Sequence, residues 1–190
     1  LQYALLRREV REAAKLSLVP VKGKVFVAMG GSDFLKLTEP IVRGLKDLDI
    51  ELCVAVGPTN SQRKQIEESV KLISRARVIR QADYIKELAS SSLAILAAGS
   101  SLWEAAALGV PSIGLIVTDN QIGASGGADR CGVSISLDVR NDLCNESIVS
   151  NVENLLTVAN GALAKMRTAA RNEVDELGST RVLRAIGPNL

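Results

Sequence analysis

Six short apolar runs, each followed by a helical pattern, constrain this chain more than any other feature. Lys24–Met29, Ile50–Val56, Arg77–Arg80, Leu93–Ala98, Ser112–Val117 and Val133–Leu137 read as strands, most of them apolar at consecutive positions. A strand apolar on both faces needs cover on both faces, which is the situation of a parallel sheet between two helical layers. Helices are predicted over Thr38–Leu48, with Thr38 as cap and Pro40 in the first turn, from Asn60 through Ile73, over Asp83–Ser90 and over Leu102–Leu108. A further one over Asn120–Ala128 carries Gly123, Gly126 and Gly127, each costing about 1 kcal/mol against alanine. From Glu146 the pattern is helical to the end, with breaks at Gly161 and near Gly178. The fold class read from this order is α/β with a doubly wound parallel sheet, whose ligands bind beyond the carboxyl ends of the strands.

The 190 residues include no histidine, the side chain that most readily exchanges protons near neutral pH. A Ser-His-Asp hydrolase site is thereby excluded, although Gly99-Ser100-Ser101-Leu102-Trp103 brushes the G-x-S-x-G pattern. Net charge is +2 and aromatic residues make up 3%, so neither a basic field nor a stacking platform recommends nucleic acid as partner. Cys53, Cys131 and Cys144 form no C-x-x-C pair, and Cys53 reads as a buried core thiol. With no secretory signal, a reducing cytoplasm is the expected location. No apolar stretch approaches the roughly 20 residues that span a bilayer, so no stable membrane insertion is expected. The chain opens on Leu1 and an apolar segment, which suggests a piece cut from a longer protein.

Two turns carry the chemistry. Gly30-Gly31-Ser32-Asp33 lies between a strand and a helix, where glycines let backbone N–H groups approach a diphosphate. It matches neither G-x-G-x-x-G nor the Walker pattern, and its plain alternative is a tight turn in which Ser32 or Asp33 satisfies local amides. In the second turn Ser101-x-x-Glu104 reads first as a capping box. The functional alternative puts the Ser100 and Ser101 amides on phosphate and Glu104, an acceptor-only carboxylate, on the vicinal hydroxyls of a ribose. Asp119-Asn120-Gln121 offers side-chain amides to sugar hydroxyls, or a helix cap. Gly57-Pro58 reads as a turn, and Arg80 as a solvated charge whose backbone faces a base.

Tyr3–Glu9, Phe26–Asp33, Ala98–Glu104 with Leu108–Pro111, Asn120-Gln121 and the tail Asp175–Val182 together resemble a family. The resemblance is to the C-terminal half of the UDP-sugar hydrolase of pseudaminic acid biosynthesis and its relatives named for spore-coat polysaccharide synthesis. More distantly the chain is similar to the donor domain of the MurG glycosyltransferase. This likeness implies a Rossmann-like domain forming the C-terminal half of a GT-B architecture. Its expected parts are an interdomain connector over 1–20, a nucleotide-sugar-binding domain over 21–160 and closing helices over 161–190.

It also implies a UDP-sugar as ligand, here a UDP-linked deoxyamino sugar for surface polysaccharide synthesis. Gly30, Gly31, Ser32, Ser100 and Ser101 would lie on the diphosphate, Arg80 by the uracil, Glu104 on the ribose, and Asn120 and Gln121 toward the sugar. No metal or other cofactor is implied, since helix starts and amides stabilise the departing diphosphate. The family's water-activating histidine belongs to the N-terminal GT-B domain, so no catalytic residue is assigned in this chain. The alternatives are the donor half of a MurG-like UDP-sugar transferase and a non-catalytic nucleotide-sugar-binding module. Val182, Leu183 and Ile186 form an apolar face that would pack on the N-terminal domain, or on a second copy of an isolated module.

Overall fold

Each expected strand forms, and all six pair in parallel. The computed structural model describes residues 2–16, 18–157 and 161–187. The strands are β1 (Val21–Ala28), β2 (Glu51–Ala55), β3 (Ala76–Ile79), β4 (Ser91–Ala97), β5 (Ser112–Ile116) and β6 (Ser134–Asp138), in the spatial order β3-β2-β1-β4-β5-β6. The order reverses between β1 and β4, which leaves a crevice beyond their carboxyl ends.

The consecutive apolar positions divide between two layers. From β1, Val25 and Val27 enter a core under α2 (Thr38–Gly44), α3 (Arg63–Lys71) and α7 (Asn145–Thr157). Phe26 and Ala28 point the other way, toward α1 (Arg8–Ala14), α4 (Tyr84–Ala89) and α5 (Ser100–Ala107). Tyr84 packs its ring edge-on against Phe26 at 5.1 Å. A third cluster joins Ala106, Ala128 and Val133 to Ala170 and Val174, so α6 (Ile122–Arg130) and α8 (Ala162–Glu173) close the β6 side.

Several boundaries differ from expectation. β1 begins at Val21, which pairs with Ser91 of β4; the register then slips before pairing resumes at Val25, across a stretch that includes Gly23, whose φ is +73°. Helix α1 lies within the segment expected to be an interdomain connector, with Val10 fully buried against α4 and α5. Thr38 is not the cap of α2. The Leu37 and Thr38 N–H groups donate to the two oxygens of Asp33 at 2.9 Å each, so the cap comes from the glycine turn. α3 starts at Arg63, with Asn60 accepting from the Gln62 N–H in the turn before it.

Helix α9 (Gly178–Ile186) returns to the start of the chain. Arg181 donates to the Gln2 carbonyl at 2.8 Å, and a methyl group on Gly178 would lie 2.0 Å from the Ala4 carbonyl oxygen. The opening segment and the last helix are therefore packed backbone to backbone. Leu183 and Ile186 remain exposed on the outer face.

On the α4 side, near the amino ends of the strands, a charged cluster interrupts the apolar packing. Lys24, its side chain 5% exposed, donates to Glu87 at 2.6 Å, and Arg77 reaches the same carboxylate oxygen at 2.8 Å. Cys53 is buried as expected, but its thiol lies 3.5 Å from Glu87, and burial pushes its pKa up to about 12. No helix among the described residues is long and apolar enough to cross a membrane.

Candidate functional site

The turns after β1, β2 and β4 meet over the β1–β4 crevice and enclose a cavity of 310 Å³. Gly30 and Gly31 line it from one side, Ser100, Ser101 and Glu104 from the other, and Tyr84 and Arg7 close it. Both glycine-rich bends thus share one rim and one cavity.

Gly30 has φ +81°, a conformation that side chains with a Cβ rarely adopt, and it bends the chain straight off β1. The turn is then pressed against the one after β2. A Cβ on Gly57 would fall 2.1 Å from the Gly31 carbonyl oxygen and 2.5 Å from the Gly31 Cα. Thr59 donates its hydroxyl to that same carbonyl at 3.0 Å, and Arg63 donates to the Val56 carbonyl at 2.8 Å, fixing the far side. Gly57 is therefore more than the simple turn its Gly-Pro sequence implies. Such a close approach between distant backbones leaves no local signature.

The second bend differs from the expected capping box. α5 starts at Ser100, two residues before the expected Leu102, with Gly99 at the N-cap and no side-chain cap. Ser101 therefore sits inside the helix, and Glu104 is too far along it to close a box. The offset of three and four residues instead puts Ser100, Ser101 and Glu104 on one face, toward the cavity, while Leu102, Ala105 and Ala106 are buried. The uncapped start of α5 leaves its first amides and the positive end of its dipole open to the cavity. At α2 the first-turn amides are occupied by Asp33, so the Gly30–Gly31 turn presents its own backbone and not a helix end.

Glu104 is held by a contact that sequence reasoning missed. Arg7 Nε donates to Oε1 at 2.6 Å and Arg7 Nη2 to Oε2 at 2.8 Å, a two-pronged pair across 97 positions. The hydrogen bond to Glu104 raises the Arg7 pKa above its ordinary value against the opposing effect of burial. The guanidinium also lies over the Tyr84 ring, 5.6 Å from its centre. Burial raises the Tyr84 pKa, partly offset by its hydrogen bond with Ser101.

The other expected residues lie farther out. Ser32 is exposed in the turn and is not among the residues lining the cavity. Arg80 pairs with Asp83 at 2.7 Å and lines a larger neighbouring cavity of 530 Å³ beside β3, which shares Val56, Pro58 and Gln81 with the first. Asp119 pairs with Arg140, and Asn120 accepts from the Thr118 hydroxyl, so neither caps α6. Gln121 accepts from the Val117 N–H at 2.8 Å, with its amide nitrogen 3.7 Å from where a Cβ of Gly99 would be. Gln121 therefore lies beside the Gly99 bend.

No family model matches the chain, and no curated protein matches it. Solved structures do. MurG from Acinetobacter baumannii is similar over 97% of this chain and 54% of its own, at 19% identity and a TM-score of 0.69. The spinosyn rhamnosyltransferase SpnG, complexed with thymidine diphosphate, is similar over 88% and 47%, at 21% identity and a TM-score of 0.68. The glycosyltransferase VinC, in complex with dTDP, is similar over 96% and 44%, at 17% identity and a TM-score of 0.60. The chain spans about half the length of these glycosyltransferases. Its fold is the Rossmann-like α/β domain of the GT-B architecture.

Proposed function

We propose that this chain is the C-terminal, donor-binding domain of a GT-B enzyme, holding a nucleoside-diphosphate sugar for attack by a group carried on the other half. One observation supports it above all. The Gly30–Gly31 turn, the uncapped start of α5 and the Glu104 carboxylate line one cavity at the sheet's switch point. Amides and a helix dipole suit a diphosphate, and a carboxylate suits a ribose diol. In this reading the adjoining cavity beside Arg80 receives the base, and the family resemblance assigns the sugar to Asn120 and Gln121. Two of the similar glycosyltransferases carry thymidine diphosphate, which supports the diphosphate site; its 2′-deoxyribose has no vicinal diol.

Transfer to an acceptor is the leading reaction, given the glycosyltransferase fold. Hydrolysis of a UDP-linked deoxyamino sugar is the second reading, and it rests on the family resemblance of Tyr3–Glu9, Phe26–Asp33 and Ala98–Glu104. The two reactions differ in the attacking oxygen and share the grip on the departing diphosphate. Within this grip the chain's role is to bind and orient: the amides take up charge developing on the β-phosphate as the anomeric C–O bond breaks.

Calorimetric titration with UDP and with pyrophosphate tests the reading. UDP is expected to bind at submillimolar concentration. Glu104→Ala should weaken UDP by about tenfold, the scale of a charge-assisted hydrogen bond, without weakening pyrophosphate. Absence of heat at millimolar UDP contradicts the proposal, and equal losses for both ligands remove the ribose role from Glu104.

A further inference from the structure

We infer that Arg181 of α9 is a positioning residue for the nucleotide cavity: it clamps the opening segment of the chain so that Leu5 and Arg7 stand in the cavity wall. The inference rests on the nucleotide-binding reading above and adds the closing helix to that site. Residues 4–7 belong to no helix or strand, yet Leu5 and Arg7 line the cavity together with the Gly30–Gly31 and Ser100–Ser101 bends. A segment without a backbone ladder of its own stays in place only when its ends and side chains are held.

Two ties hold it. On the cavity side Arg7 forks onto Glu104 at 2.6 and 2.8 Å. On the far side the Arg181 guanidinium donates to the Gln2 carbonyl at 2.8 Å and to the two oxygens of Asp175 at 2.6 and 2.5 Å. Asp175 also accepts from the Leu177 N–H at 2.9 Å, so the carboxylate that aims Arg181 is itself fixed in the turn before α9. Gly178 opens that helix, and the space a side chain would fill there is taken by the Ala4 backbone. Between the ties, Ala4 and Leu6 pack against the same apolar cluster as Trp103. Neither Arg181 nor Gly178 lines the cavity, so an effect on the ligand must pass through the segment they hold. Releasing the far tie leaves the wall in place in only a fraction of chains, and apparent affinity falls by that fraction.

The test titrates the full chain carrying Arg181→Met with UDP by calorimetry, and records the emission of Trp103, the single tryptophan, in the same samples. The substitution removes the donors and keeps the bulk. UDP should bind about fivefold more weakly than to the wild type, the scale of one lost hydrogen bond. Emission should shift to the red as Leu6 leaves the cluster it shares with Trp103. In an Arg7→Ala background, where the cavity-side tie is already broken, Arg181→Met should cost less than about twofold. Gly178→Ala carries the same expectations if Arg181→Met fails to fold. Alanine favours the helix, but its methyl would lie 2.0 Å from the Ala4 carbonyl oxygen and push the segment away. Unchanged emission overturns the clamp. A red shift with wild-type UDP affinity, or an undiminished loss in the Arg7→Ala background, overturns the positioning role alone. A wild-type chain that binds no UDP overturns the nucleotide reading and the positioning role with it, while the emission still reports the clamp.

Discussion

Gly57→Ala is expected to remove detectable UDP binding and to lower stability by about 3 kcal/mol, the upper range for an overpacked site. The added methyl would lie 2.1 Å from the Gly31 carbonyl oxygen, and its neighbours there are backbone atoms that cannot rotate away. Either the Gly31 turn moves out of the cavity or the turn after β2 lifts off. Thr59 joins the two turns, so either movement breaks its hydrogen bond to the Gly31 carbonyl, while Arg63 ties the turn after β2 to the end of its own strand. At about 2–4 °C per kcal/mol for a chain of this size, the melting temperature should fall by roughly 6–12 °C. A variant that melts and binds like the wild type would show that the two turns are not in contact.

Lys24→Met should cost about 3 kcal/mol in urea unfolding at pH 7, because it leaves the Glu87 carboxylate without its buried partner. The loss falls at the lower end for a broken buried pair, since Arg77 still reaches Glu87. Replacing both partners, Lys24→Met with Glu87→Leu, should recover most of it, because an apolar pair carries no desolvation penalty. The pair also sets an acid limit. Burial alone would raise the Glu87 pKa, but Lys24 and Arg77 outweigh it and hold the folded-state value below the ordinary 4.5. A depressed folded pKa contributes stability that is complete above the unfolded value and fades as pH falls through the folded one. Wild-type stability should therefore decline below about pH 4.5, and the decline should be shallower in Lys24→Met. A change of less than 0.5 kcal/mol on Lys24→Met, the scale of an ordinary surface substitution, would reduce the cluster to a surface pairing.

The sheet was legible in the sequence because its signal is local: consecutive apolar positions bounded by Gly30, Gly57, Gly99 and Gly109 leave few alternatives to buried parallel strands. The first three residues of β1 were not, since the polar Lys22 and the positive-φ Gly23 ahead of Lys24 look like a loop. Helix α1 was hidden for a similar reason. Its seven residues hold a single fully buried side chain, Val10, too little for a periodic signal. The three glycines of α6 weaken it by propensity, yet burial of Ala128 in the cluster with Ala106, Val133 and Ala170 holds it in place.

At the site, the glycine and serine bends were visible and the contacts between them were not. Ser101-x-x-Glu104 satisfies the capping-box pattern, but the helix begins earlier and Glu104 answers to Arg7. Gly57 and Arg7 act through residues 26 and 97 positions away, and no spacing rule reaches so far.

The central claim is that the bends after β1 and β4 hold one diphosphate together. Amide chemical shifts followed during a UDP titration test it most directly. Gly30, Gly31, Ser100 and Ser101 should all shift along one saturation curve with a common dissociation constant. Shifts at only one bend, or two curves with different constants, would mean the bends do not share a ligand.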